Sequence, residues 1–219
     1  MNIIYVDEEV EQHRQFKSRL KDLIRTKEIS VCCIFPKNSI EETIDEILSN
    51  LPDILVCDWQ LNAIKEDVNY PVPYTGAKLI EEFLKVKPKF PVYLNTALVS
   101  DGISDDYTKD VNIVFPKSMS MTEPEGYDLS IIKKMEIQIN KYRNQIKEWE
   151  DELIALINKK DSGELITAME EERIIYLDDK LESSSNMKSK TPVMLKDDKN
   201  IELLMSLIKK TDEILSKVK

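Results

Sequence analysis

The stretch DILVCDW, residues 53–59, sets four consecutive apolar residues, Ile54 to Cys57, directly in front of an acid, Asp58. A short unbroken apolar run of this kind reads as a strand buried on both faces, as the strands of parallel sheets are. Four more runs share the character of Asp53–Cys57: Asn2–Val6, Ile29–Phe35, Pro91–Thr96 and Asn112–Phe115, rich in Val and Ile and without a clean two-residue alternation. Helical patterns lie between them. Val10–Thr26 places Phe16, Leu20, Leu23 and Ile24 at helical spacing. Ser39 followed by Glu42 is a capping-box signature ahead of Ile44, Ile47 and Leu48. Residues 76–87 put Leu79, Ile80, Phe83 and Leu84 on one face before Pro88 stops the helix, and Leu98–Lys109 is the poorest helix, short of apolar residues. Strand and helix alternating in this way predict a parallel sheet covered by helices, an α/β sandwich.

From Leu129 the pattern changes. Ile132, Met135, Ile139, Tyr142, Ile146, Trp149, Leu153 and Leu156 recur with alternating gaps of three and four, a heptad seam with no Pro or Gly inside it. The spacing predicts a helix over 129–159, ended by Asp161-Ser162-Gly163. A second helix is expected over 168–182, started by Thr167 with Glu170. Residues 183–200, with three serines and a Thr-Pro, read as a linker, and a last helix over 201–218 carries Ile201, Leu204, Ile208, Leu215 and Val218 on one stripe. The expected domains are therefore 1–128 and a coiled-coil-like helical extension, 129–219. The seam must be buried, either in a bundle with the later helices or in a homodimer.

Composition narrows the function. Residues 1–128 carry a net charge of −9 and residues 129–219 one of −1, together the −10 of the whole chain. Neither half has the basic excess that binding to a phosphate backbone requires, so no nucleic-acid partner is expected. No run approaches the roughly 18 apolar residues of a membrane span, and the N-terminus MNIIYVDEE turns acidic at once; no membrane partner and a cytoplasmic location are expected. Cys32, Cys33 and Cys57 lie in apolar runs without CxxC spacing and read as buried thiols. His13, the only histidine, is expected to be exposed on the first helix and not to act as a phosphodonor.

Four features fall at the C-terminal ends of expected strands, where open α/β sheets place their ligands: Asp7-Glu8 after the first, Asp58 after the third, Thr96 at the end of the fourth and Lys117 after the fifth. Three crowded carboxylates repel one another, and a hard cation such as Mg²⁺, which favours a few carboxylate oxygens with water and phosphate, relieves that repulsion. Asp58 could then act as a carboxylate nucleophile toward a phosphoryl group, with Mg²⁺, the Lys117 ammonium and the Thr96 hydroxyl each taking one of its oxygens.

As a set, IIYVDEE, DILVCDWQL, VYLNTA and IVFPKS resemble the signature strands of the receiver domains of two-component response regulators, over residues 1–128. The resemblance implies a flavodoxin-like five-stranded parallel sheet. It implies metal binding by Asp7, Glu8, Asp58 and the backbone carbonyl of Gln60, phosphorylation of Asp58 by a histidine kinase or phosphotransfer protein, a switch hydroxyl at Thr96 and a phosphate-contacting Lys117. Three departures stand out. The loop from Asp58 to Gly76 is longer than usual and contains the proline-bearing stretch Lys65–Tyr74. Ser118 replaces the proline that customarily follows the lysine, putting its cis peptide in doubt. Val114 stands where the switch aromatic is expected, with Phe115 beside it.

The leading expectation is a response regulator whose output is a protein–protein interaction of the helical extension, an enzyme in no sense beyond its own phosphorylation and slow dephosphorylation. A phosphate sink or scaffold without an effector is the alternative. An aspartate-nucleophile phosphatase of the haloacid-dehalogenase type is disfavoured because Gln60 stands where that chemistry needs a second acid. Leu98 and Gln60, two residues after Thr96 and Asp58, suggest a slowly hydrolysing phospho-aspartate.

Overall fold

The computed structural model describes residues 1–62, 70–124 and 129–184. The chain divides into two compact units, Met1–Asn144 and Gln145–Lys219. The first is built on five parallel strands: β1 (Asn2–Val6), β2 (Ser30–Ile34), β3 (Ile54–Cys57), β4 (Val92–Thr96) and β5 (Val114–Pro116), in the order β2-β1-β3-β4-β5. This is the flavodoxin-like order, which puts the switch point of the sheet between β1 and β3. Ile3–Val6 and Ile54–Cys57 are fully buried. At about 1.5–3 kcal/mol for each fully buried aliphatic side chain, these two central strands anchor the sheet.

Strand geometry sends alternate side chains to opposite faces. Ile4, Val6, Leu55, Cys57, Val92 and Leu94 meet α3 (Ile40–Ser49) and α4 (Gly76–Val86) in one core cluster. Ile3, Tyr5, Ile54, Val56, Tyr93 and Phe115 meet Phe16 and Leu20 from the N-terminal helical region, together with Ile131, Ile132, Met135 and Ile139, in the other. Ser39 caps α3 by accepting from the Glu42 amide at 3.1 Å, and Thr75 caps α4 in the same way from Lys78.

Several elements differ from the sequence reading. The helix expected over Val10–Thr26 is two, α1 (Val10–Arg19) and α2 (Lys21–Arg25), broken at Leu20, whose backbone leaves helical geometry while its side chain is buried in the core. The poor helical stretch keeps only α5 (Val99–Ser104). The last strand begins later than Asn112, because the Asp110 side chain accepts from the Asn112 amide at 2.9 Å and tightens Val111–Ile113 into a 3₁₀ turn.

The long helix, α6, spans Ile131–Asp161. Ile132, Met135 and Ile139 of the heptad seam are buried in the first unit's own core, and Tyr142 packs edge-on to Phe90 at 5.4 Å. That part of the seam is covered by the sheet and needs neither bundle nor dimer. The first unit accordingly continues to Asn144, whereas the expected division at residue 128 falls before this helix. Within the second unit, α7 (Ala168–Ser184) runs back along the end of α6. Arg173 grips Glu152 through two bonds of 2.7 Å, and Lys159 meets Glu170 at 2.7 Å. Gly163, at φ +78, makes the turn between them. Residues 183 and 184 are helical, not linker; the rest of the expected linker and the helix over 201–218 lie outside the described residues.

One glycine tests the packing directly. A Cβ on Gly76 would lie 1.8 Å from the Asp58 carbonyl oxygen, a backbone atom that cannot step aside, whereas one on Gly102 would approach the Thr96 methyl at 3.3 Å. Gly76→Ala is expected to cost at least the roughly 1–3 kcal/mol typical of overpacking, and Gly102→Ala much less, as measured by urea unfolding.

Candidate functional site

The register between β1 and β3 pairs Val6 with Cys57, so the next residues on each strand, Asp7 and Asp58, emerge side by side at the C-terminal edge. The Asp58 amide donates to the Val6 carbonyl at 2.8 Å and holds that edge closed. On the other flank Thr96 pairs with Pro116, and the Lys117 amide donates to the Thr96 carbonyl at 2.9 Å. The four strand ends found in the sequence thus form one continuous edge.

Asp7, Glu8 and Asp58 each offer a carboxylate oxygen within 4.8 Å of the others, and all three are buried. Lys117 reaches in from β5, its Nζ 2.8 Å from Asp7 Oδ2 and 3.2 Å from Asp58 Oδ2. Asp7 Oδ1 accepts from the Glu9 amide at 2.9 Å, and its Oδ2 also accepts from the Tyr5 hydroxyl at 2.6 Å. Asp58 Oδ1 accepts from the Trp59 amide at 2.8 Å. Glu8 Oε2 is buried without a hydrogen-bond partner among the described residues.

Burial, with the neighbouring Asp7 and Asp58 carboxylates adding to it, pushes the Glu8 carboxyl up to about 8. Burial also raises Asp58, to about 6, against the opposing pull of the Lys117 ammonium. Burial disfavours the charge on Lys117, but the Asp58 and Asp7 carboxylates outweigh it and hold the ammonium above its ordinary value. One ammonium is shared between two acids, and one oxygen of the third, Glu8 Oε2, is without a hydrogen bond among the described residues. A divalent ion fits this set: carboxylate oxygens converge, and the orphaned Glu8 oxygen is the type of hard ligand that Mg²⁺ takes.

Thr96 is buried, its hydroxyl oxygen accepting from the Leu98 amide at 2.9 Å. The side chain of Leu98 is partly exposed, and Gln60 is exposed on the loop after Asp58. All peptide bonds among the described residues are trans, that between Lys117 and Ser118 included. Phe115 is buried in the core, 5.8 Å edge-on from Tyr93.

His13 is not the exposed residue the sequence suggested. It is buried, with Nε2 3.0 Å from the Asp7 carbonyl oxygen and its ring 4.7 Å from Phe35. Of the three free cysteines only Cys57 is fully buried. The long loop after Asp58 is tied down at both described ends. Leu61, Val72 and Tyr74 join the core, Tyr70 donates to the Pro36 carbonyl at 2.8 Å, and Tyr74 to that of Lys37 at 2.7 Å. The Trp59 indole and the Thr75 hydroxyl both donate to Asp105 Oδ2, at 2.8 and 3.1 Å.

Sequence reasoning missed Tyr5, Arg19 and Trp59 as neighbours of the site. Tyr5 was within reach of it, since residues two apart on a strand share a face. Arg19 donates to the Lys117 carbonyl across 98 positions of sequence, with no local signal.

No protein-family model matches the sequence, and no curated protein matches it. Among solved structures the chain is similar to the crystal structure of the anti-anti-sigma factor PhyR from Bartonella quintana, at 12% identity and a TM-score of 0.43. The match covers 67% of this chain and 50% of that one. So distant a likeness carries no functional argument, and the fold assignment rests on the strand order itself. No helix among the described residues is long and apolar enough to cross a membrane.

The raised Glu8 pKa fixes a sign. The folded protein binds a proton there that the unfolded chain releases near pH 4.5, so the metal-free fold loses stability as pH rises through about 8. In EDTA, Glu8→Gln should therefore raise Tm at pH 8 and change it little at pH 5, by roughly 2–4 °C for each kcal/mol of repulsion removed. Saturating Mg²⁺ should reverse the order, because Gln supplies no charge to the ion. Thermal melts under the four conditions check this.

Proposed function

We propose that this chain is a response regulator of the two-component type, accepting a phosphoryl group on Asp58 from a histidine kinase or phosphotransfer protein. The observation that carries the reading is the convergence of Asp7, Glu8 and Asp58 within 4.8 Å, with Lys117 bridging Asp7 and Asp58. Carboxylates alone could bind an ion without chemistry; the shared lysine adds a cation beside the nucleophile, as phosphoryl transfer requires.

Asp7, Glu8 and Asp58 would hold Mg²⁺, with the Gln60 carbonyl as a further ligand, and the bound ion neutralises charge on a phosphoryl oxygen. An Asp58 carboxylate oxygen forms a bond to phosphorus as the phosphorus–nitrogen bond of the donor phosphohistidine breaks. The bonding pair leaves on the imidazole, which takes up a proton. Lys117 moves its ammonium from the carboxylates to a phosphoryl oxygen, and the Thr96 hydroxyl, whose oxygen is fixed by the Leu98 amide, donates its proton to another. Displacement of Thr96 and Lys117 biases a two-state equilibrium. The output is a protein–protein contact made through the helical extension, in which α6 begins in the core of the first unit.

Incubation with acetyl phosphate and Mg²⁺, read by intact mass, should add one phosphoryl group to the wild-type chain and none to Asp58→Asn or to wild type in EDTA. Equal labelling of wild type and the variant excludes Asp58 as the acceptor. Because neither Gln60 nor Leu98 offers a charge to activate water, the phosphorylated form should outlast many seconds after removal of donor; decay within a few seconds contradicts that part of the reading.

A further inference from the structure

We infer that Tyr5 is a positioning residue for the metal site: its hydroxyl orients the Asp7 carboxylate that binds the ion. The inference rests on the reading of Asp7, Glu8 and Asp58 as that site.

Tyr5 lies on β1 and Asp7 directly follows that strand, and the phenol oxygen sits 2.6 Å from Asp7 Oδ2. The ring is wholly buried, stacked on Phe16 at 4.1 Å with an interplanar angle of 7°, and meets His13 edge-on at 5.9 Å. Packing alone does not ask for tyrosine here. A phenyl ring would stack equally well, and a buried hydroxyl costs free energy unless it finds a partner. The partner it has is the acid.

Two donors share Asp7 Oδ2, Tyr5 and Lys117, and they differ in freedom. Lys117 approaches on a long side chain that retains some solvent contact and must leave Asp7 to meet a phosphoryl group. Tyr5 is locked by Phe16 and stays. Once the lysine departs, Tyr5 on Oδ2 and the Glu9 amide on Oδ1 are what hold the plane of the carboxylate, while His13 lies against the Asp7 carbonyl. Outer partners of this kind orient metal-binding carboxylates, and their removal typically costs about 10–100-fold in metal affinity.

Titration of the full chain with MgCl₂ by calorimetry, for wild type, Tyr5→Phe and Asp7→Asn, tests the inference. Wild type should bind, Asp7→Asn should not, and Tyr5→Phe should bind about tenfold or more weakly. A Tyr5→Phe protein of altered Tm but unchanged Mg²⁺ affinity would show that the hydroxyl serves packing only and overturn the inference, leaving the metal site intact. Absence of binding by wild type would instead sink the site itself. A second measurement needs no variant: the Tyr5 hydroxyl proton of the wild type, enclosed and bonded to a carboxylate, should give a slowly exchanging low-field NMR signal that shifts on adding Mg²⁺. Mg²⁺ binding that leaves this signal unmoved also overturns the inference.

Discussion

Three carboxyl groups and one ammonium, buried together at the edge of a parallel sheet, are the constraint around which the first unit is arranged. Two unit charges about 4 Å apart interact by roughly 4 kcal/mol at an effective dielectric near 20. Lys117 sits against Asp7 and Asp58, and burial, with the neighbouring Asp7 and Asp58 carboxylates adding to it, makes Glu8 hold its proton to about pH 8. The fold therefore maintains a site that is unfavourable by itself and becomes favourable when positive charge enters. A purely structural cluster would be expected to satisfy both oxygens of Glu8 from within the protein; among the described residues Oε2 has no hydrogen bond.

Everything nearby serves to keep that edge in place. The β1–β3 register sets Asp7 beside Asp58, and the absence of a side chain on Gly76 lets α4 approach the Asp58 backbone closely. Tyr5 and Arg19 brace the site from the α1 side, on Asp7 and on the Lys117 carbonyl. On the opposite side Trp59 and Thr75 converge on Asp105, joining the segment after Asp58 to the end of α5. The start of α6 closes the sheet face beneath Tyr5 and Phe115, so the helix that leads into the extension is also a wall of the domain holding the acids.

The sheet and its acid-bearing edge were legible because they depend on local patterns. Five apolar runs, four of them leading into a residue with chemical purpose, stay legible wherever each strand begins. What was not legible depends on distance in sequence. A break at Leu20 follows from the demand of the core for that side chain, which a helical stripe alone does not reveal. The heptad periodicity of α6 was read correctly, but periodicity shows that a stripe is buried without saying against what; Ile132, Met135 and Ile139 meet the sheet. His13 looked exposed among polar neighbours on α1, yet it turns in toward the Asp7 carbonyl and Phe35.

The central claim is that Asp58 shares a divalent ion with Asp7 and Glu8 and takes a phosphoryl group beside Lys117. A crystal of the protein soaked with Mg²⁺ and beryllofluoride tests it most directly. The account predicts a trifluoroberyllate on the Asp58 carboxylate, an ion between the three acids, and the Lys117 ammonium moved from Asp7 to a fluorine. An empty pocket, with Lys117 still bridging Asp7 and Asp58, would contradict it.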